Sequence, residues 1–72
     1  MSRATIQELR DAMVRLAEID RQCEQRRARI KLLKAEGDDV GAAEHQLRED
    51  ERERADLSDD VLILENRLYI NP

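Results

Sequence analysis

The chain has 72 residues, of which 42% are charged and 40% are apolar, and its formal net charge is −4. This length allows one domain at most, and the modest net charge with this apolar fraction argues against intrinsic disorder. No run of about 18 apolar residues is present, so we expect no transmembrane helix. The N-terminal segment also lacks the apolar core of a signal peptide. The only aromatic residue is Tyr69, so any core must consist of aliphatic side chains.

The first predicted helix covers about residues 6–36. Steps of three and four residues reach a stripe typical of a coiled-coil seam, which consists of Ile6, Leu9, Met13, Leu16, Asp20, Cys23, Arg27, Ile30 and Lys34. Thr5, followed three residues later by Glu8, fits a capping box that would satisfy two N-terminal amides. Gly37 follows a basic last turn and suits the C-terminal cap of this helix.

A loop over residues 37–41 leads to a second predicted helix of about residues 41–69. Its stripe has the same spacing and consists of Ala43, Leu47, Asp50, Arg54, Leu57, Val61, Leu64 and Leu68. Asp38 and Asp39 can cap the N-terminus, where the helix dipole favours negative charge. Ser58 and the two aspartates after it resemble a further N-cap, but the unbroken stripe favours a continuous helix.

The two stripes agree when the chain folds back at this loop. Pairing residues whose numbers sum to about 77 sets apolar positions against each other, namely Leu9 with Leu68, Met13 with Leu64, Leu16 with Val61, and Ile30 with Leu47. The basic segment 21–34 then lies along the acidic segment 44–60. The sequence therefore predicts an all-α, antiparallel two-helix coiled-coil hairpin that forms a single domain over residues 1–72. A long parallel coiled coil ranks second, because it would stack like charges and place two glycines inside a helix.

Four charged residues stand at stripe positions where apolar side chains are expected. They are Asp20, Arg27, Asp50 and Arg54. We interpret them as an ion-pair layer that specifies the register of the hairpin at some cost in stability. A ligand-binding cleft is the alternative, but no aromatic or glycine-rich element of the sequence supports it.

The segment 61–70 is apolar nearly all round, and one partner helix can cover only one stripe of it. Because small helical scaffolds have marginal cores, they tend to oligomerise. We therefore expect the open end of the hairpin to be covered by a second copy in an antiparallel four-helix bundle, or by a helix of a foreign protein. The expected interface residues are Leu9, Met13, Leu16, Val61, Leu62, Ile63, Leu68, Tyr69 and Ile70.

The sequence offers no catalytic, cofactor-binding or metal-binding motif. We expect Cys23 to be a small buried apolar residue, and a single unpaired thiol suits the cytoplasm. His45 has no second ligand at metal-binding spacing and is expected at the solvated surface. The basic run over residues 26–31 is expected to pair with the acidic helix rather than with phosphates.

These features favour a non-enzymatic helical hairpin that forms homodimers and binds an unidentified protein as an adaptor, chaperone or inhibitor. One alternative is a purely structural oligomerisation element of a larger assembly. A weaker alternative is a nucleic-acid-associated regulator, which would use Arg26, Arg27, Arg29 and Lys31.

Overall fold

In the computed structural model, the chain forms two antiparallel helices joined by a short turn. The structure describes residues 3–69, with side chains from residue 5 onwards. Helix α1 spans Arg3–Glu36 and helix α2 spans Gly41–Tyr69, and the two pack against each other. The molecule is a rod with extents of 55 × 14 × 14 Å. The predicted all-α hairpin is thus confirmed, and α2 continues through Ser58 without a break.

The N-terminal part of α1 differs from the prediction. The helix already includes Arg3, so Thr5 lies inside it and not at its N-cap. The capping box predicted for Thr5 and Glu8 is therefore wrong, because the serine or threonine of a capping box stands at the N-cap, before the first helical residue, whereas Thr5 is the third residue of the helix.

The C-terminus of α1 is closed by a Schellman motif. The amide of Gly37 donates a hydrogen bond to the carbonyl of Lys34 at 3.1 Å, and the amide of Asp38 donates to the carbonyl of Leu33 at 2.9 Å. Gly37 adopts a φ of 78°, a left-handed conformation that glycine reaches without the steric penalty of a Cβ atom. The predicted glycine cap is confirmed.

The start of α2 is fixed by two further hydrogen bonds. The Asp39 carboxylate accepts the amide of Gly41 at 3.0 Å, and the first helical bond runs from the amide of Glu44 to the carbonyl of Val40 at 2.8 Å. The aspartate therefore satisfies an amide that has no partner within the helix. Of the two predicted capping residues, Asp39 fills this role.

The core is a single line of side chains between the helices. Ile19 and Cys23 are the most deeply buried, each 1% exposed. The other buried residues of the described part are Ile30, Asp50, Val61, Leu64 and Leu68. On α2 this core follows the predicted stripe, although Arg54 is exposed.

The stripe predicted for α1 needs a correction at every second position. Leu9, Leu16, Cys23 and Ile30 face α2 as expected, but the positions between them lie one residue earlier in the chain, at Ala12, Ile19, Arg26 and Leu33. Met13, which the sequence places on the seam, is 52% exposed. Both stripes have alternating steps of three and four, and the observed one brings the large side chain of Ile19 into the core, where its burial stabilises the hairpin.

Ion pairs between the helices define the register. Five of them join Lys34 with Glu44, Arg27 with Glu51, Arg26 with Asp50, Asp20 with Arg54, and Arg15 with Glu53. The residue numbers of the first four pairs sum to 78, 78, 76 and 74, close to the predicted register, whereas Arg15 and Glu53 sum to 68 and reach each other obliquely along the rod. The basic part of α1 thus lies along the acidic part of α2.

Candidate interaction surfaces

A buried carboxylate lies at the middle of the hairpin. Asp50 is 5% exposed, and both of its carboxylate oxygens have partners. Arg26 Nε donates to Oδ2, and Gln46 Nε2 donates to Oδ1 at 3.2 Å. In the described part of the chain, no buried side-chain nitrogen or oxygen lacks a hydrogen-bond partner. The arrangement is that of a satisfied structural ion pair, since a paired and hydrogen-bonded charge is the form in which a carboxylate tolerates burial.

The predicted polar layer is only partly brought together. Asp20 and Arg54 form an ion pair, but both side chains are nearly half exposed at the flank of the interface. Arg27 is also about half exposed and lies 4.0 Å from Glu51. Pairs of this exposure contribute little to stability. The seam therefore contains Asp50 but not Arg27. The neighbouring residue Arg26 lies at the seam in its place.

Arg26 is the seam residue that the predicted stripe missed. It lies seven residues from both Ile19 and Leu33, and this heptad line faces α2. Counting apolar residues on the competing lines would have found it, because Ala12, Ile19 and Leu33 outnumber the two apolar residues of the line through Met13.

Cys23 is buried beside this polar layer as a free thiol. Burial, which disfavours the thiolate, is the largest cause that raises the pKa of Cys23, and the negative charges of Asp50 and Glu51 add to it. The positive charges of Arg27 and Arg54 act in the opposite direction. The thiol is therefore held in its protonated, weakly nucleophilic form, as expected for a buried structural cysteine.

One side of the hairpin carries exposed apolar side chains at the open end, and we call it the Met13 face. It contains Ile6 and Met13 of α1 with Leu62 and Tyr69 of α2, all of them exposed. Within each helix the two residues are seven apart and share a side of the helix. Nearer the loop, the same face holds an open groove of about 290 Å³ that is lined by Leu16, Asp20, Glu51, Arg54, Ala55 and Ser58.

The opposite side of the open end, which we call the Ile63 face, is more polar. Its groove of about 400 Å³ is lined by Glu8, Ala12, Asp60, Ile63, Leu64 and Arg67. The ion pair of Arg15 with Glu53, at 2.8 Å, lies nearer the loop. Leu62 and Ile63 are adjacent in sequence, but a helix turns by about 100° per residue, so they belong to different faces.

The residues predicted as one interface consequently fall into four groups. Val61 and Leu68 are buried within the hairpin, and Leu9 and Leu16 are half buried at its seam. Met13, Leu62 and Tyr69 lie on the Met13 face, whereas Ile63 lies on the other face. Ile70 is outside the described residues.

Two of the four basic residues in the run over residues 26–31 contact acids of α2, and the other two, Arg29 and Lys31, are exposed. Arg26 and Arg27 both take part in ion pairs across the hairpin, with Asp50 and Glu51. His45 is exposed, with Nε2 at 3.2 Å from a carboxylate oxygen of Glu49 on the same helix.

Within residues 3–69, no group of three or more histidine, cysteine, aspartate or glutamate side chains could hold a metal ion. Over the same residues, neither helix combines the length and the apolar character that crossing a bilayer requires. Comparison with protein-family models, with curated proteins and with solved structures finds no match to this chain.

Proposed function

We propose that this chain is a non-enzymatic protein–protein interaction module, a coiled-coil hairpin that self-associates and holds a partner protein as an adaptor, chaperone or inhibitor. The observation that carries the proposal is the Met13 face, where Met13, Leu62 and Tyr69 are each more than half exposed. Contiguous exposed apolar side chains on a small protein mark sites of association.

The small core of the hairpin supports self-association. Ile19 and Cys23 are its fully buried side chains among the described residues. A chain of this size rarely gains enough free energy from its own core to fold stably alone. A second copy that covers the Met13 face would add buried apolar area and stabilise both hairpins.

The partner protein would use apolar residues that self-association leaves uncovered. Ile63 lies on the opposite face, and Val14 is also exposed by more than half. An amphipathic helix could place its apolar side chains in the groove beside Ile63 while its polar residues meet Asp60 and Arg67. We place this assembly in the cytoplasm, since the single cysteine is an unpaired buried thiol and suits a reducing compartment.

Two neighbouring aspartate substitutions test self-association. Leu62 and Ile63 are 57% and 51% exposed, so Leu62→Asp and Ile63→Asp introduce the same charge with similar loss of apolar surface, on different faces. Sedimentation velocity at micromolar concentration should find wild type and Ile63→Asp as dimers and Leu62→Asp as a monomer. A monomeric wild type would contradict the proposal.

The partner is sought by affinity capture from the cells that produce the chain. The wild-type dimer should retain a protein that the Ile63→Asp dimer does not. If both dimers retain no protein, the chain is a structural oligomerisation element, and the proposed binding role is refuted.

A further inference from the structure

We propose that the Met13 face binds a second copy of this chain in a parallel two-fold arrangement. In this dimer both loops lie at the same end, and α1 of each hairpin packs against α2 of the other. The inference rests on the proposed self-association and specifies its geometry. All four contacts between neighbouring helices are then antiparallel, as in a four-helix bundle with short loops.

The length of the rod favours overlap along its whole side. The flat outline of one side, 55 × 14 Å, covers about 770 Å² per copy, which is of the order of the roughly 800 Å² that each partner of a stable interface buries. If only the open halves overlapped, each copy would offer about half of that outline.

The residues along the Met13 face are complementary in this arrangement. On α1 the heptad line through Met13 runs from apolar to basic, and its members are Ile6, Met13, Asp20, Arg27 and Lys34. On α2 the corresponding heptad line consists of Tyr69, Leu62, Ala55, Arg48 and Gly41, and the acids Glu51 and Glu44 lie beside its loop half. Parallel hairpins therefore bring apolar side chains together at the open end.

At the loop end, the same arrangement brings basic side chains against acidic ones. Lys34 already lies 3.7 Å from Glu44 of its own chain, and in the dimer it also faces Glu44 of the second copy. Alternating charges of this kind select orientation more than they add affinity. Between the two ends, Ala55 and Ser58 line the groove of about 290 Å³, and their small side chains leave room for the helix of the second copy.

An antiparallel overlap of the whole rods is the competing geometry. It would place Ile6 and Tyr69 of one copy over the charged loop end of the other, near Lys34 and Glu44. Apolar side chains would then cover these charged groups. The charged groups would lose their hydrogen bonds with water and gain no polar partner, which is unfavourable. The distribution of charge along the face therefore selects the parallel arrangement.

Cysteine cross-linking distinguishes the two geometries. In the parallel dimer Met13 of one copy faces Leu62 of the other, so a mixture of Met13→Cys and Leu62→Cys chains should form a disulfide-linked heterodimer under mild oxidation. A disulfide requires Cβ atoms about 4 Å apart. Both side chains are exposed, so the substitutions should leave the hairpin folded, as circular dichroism would verify. Wild type, with its buried Cys23, should not cross-link.

The matched control replaces Leu62→Cys by Ile63→Cys in the same mixture. We expect several-fold more heterodimer with Leu62→Cys, and equal yields would overturn the assigned face. If Met13→Cys and Leu62→Cys chains form no heterodimer although sedimentation finds dimeric wild type, the parallel geometry is overturned while self-association stands. If sedimentation finds only monomers of wild type, the proposed function fails together with this inference.

Discussion

Arg26 Nε donates a hydrogen bond to the buried carboxylate of Asp50 across the interface between the helices. This contact and the burial of Ile19 on the same heptad line of α1 fix which side of that helix faces α2. A rotation that brought Arg27 to Asp50 would carry Ile19 away from the centre of the interface. The polar and the apolar parts of the seam thus require the same orientation of α1.

The first prediction compares Arg26→Ala with Arg27→Ala. Removal of Arg26 leaves the Asp50 carboxylate buried with Gln46 as its remaining side-chain partner, so the free energy of unfolding should fall by about 1–3 kcal/mol. Removal of Arg27, which lies 4.0 Å from Glu51 at an exposed position, should lower it by less than about 1 kcal/mol. Urea unfolding at a fixed protein concentration measures both values.

The double variant Arg26→Ala/Asp50→Leu tests whether Arg26→Ala loses stability because the buried charge of Asp50 is left unpaired. An apolar residue in place of Asp50 removes the unpaired buried charge, so the double variant should be more stable than Arg26→Ala alone. If Arg26→Ala and Arg27→Ala reduced stability equally, the assignment of Arg26 to the seam would be refuted.

The second prediction concerns alkaline pH. Burial raises the pKa of the Cys23 thiol in the folded chain, whereas the unfolded thiol titrates near its ordinary pKa of about 8.5. Above that pH the unfolded chain loses a proton that the folded chain keeps, so the free energy of unfolding should decrease as pH rises. The contribution of the thiol to the free energy of unfolding is fully present at pH values below the pKa of the thiol in the unfolded chain.

Cys23→Ala is the control for this pH dependence. The variant should be less stable at neutral pH, because it loses buried volume, but the decrease between about pH 8 and pH 10 should be smaller than in wild type. Thermal unfolding followed by circular dichroism across this range measures the slopes. Equal slopes in the two proteins would show that the thiol does not cause the effect.

The third prediction uses the two glycines that flank the turn. Gly37 has a positive φ, and a Cβ atom there would meet no atom within 4 Å, so Gly37→Ala should lower the free energy of unfolding by about 1–2 kcal/mol through the backbone conformation alone. Gly41 is helical, and a Cβ atom would lie 3.4 Å from Asp39 Oδ1 at ordinary contact distance. Gly41→Ala should be neutral or stabilising by up to about 1 kcal/mol, since alanine favours the helix.

Chemical denaturation of both glycine variants at one protein concentration tests this pair. If Gly41→Ala lowered the free energy of unfolding more than Gly37→Ala does, the left-handed conformation of Gly37 would not be what stabilises the turn.

The fold could be predicted from the sequence because two independent signals agree. The apolar spacing of α2 identifies the residues that face α1, and the glycine and aspartates of the loop end one helix and begin the next. The orientation of α1 depends on a choice between two stripes. A stripe of three- and four-residue steps through Leu9, Leu16, Cys23 and Ile30 can be completed through Met13 or through Ile19. The spacing alone does not distinguish the two, and only the count of apolar residues, larger by one on the line through Ile19, favours the correct line.

The candidate surface was only partly predictable for a related reason. The apolar excess of segment 61–70 is visible in the sequence, but its division between two faces depends on where the seam lies on α2. Leu62 and Ile63 flank that seam on opposite sides, and the buried side chains of Val61 and Leu64 define it. Composition alone therefore suggests a single apolar surface, whereas the hairpin divides these apolar residues between two faces.

The final prediction tests the orientation of α1 with two truncations, one at a buried position and one at an exposed position. Ile19 is 1% exposed and Leu32 is 64% exposed, although both are large aliphatic residues of the same helix. Ile19→Ala should lower the free energy of unfolding by about 2–4 kcal/mol, because it removes buried methyl groups and leaves a cavity. Leu32→Ala should change it by less than about 0.5 kcal/mol, since the side chain is mostly in water. Urea unfolding of both variants measures the difference, and a loss for Leu32→Ala as large as that for Ile19→Ala would place the seam on another side of α1.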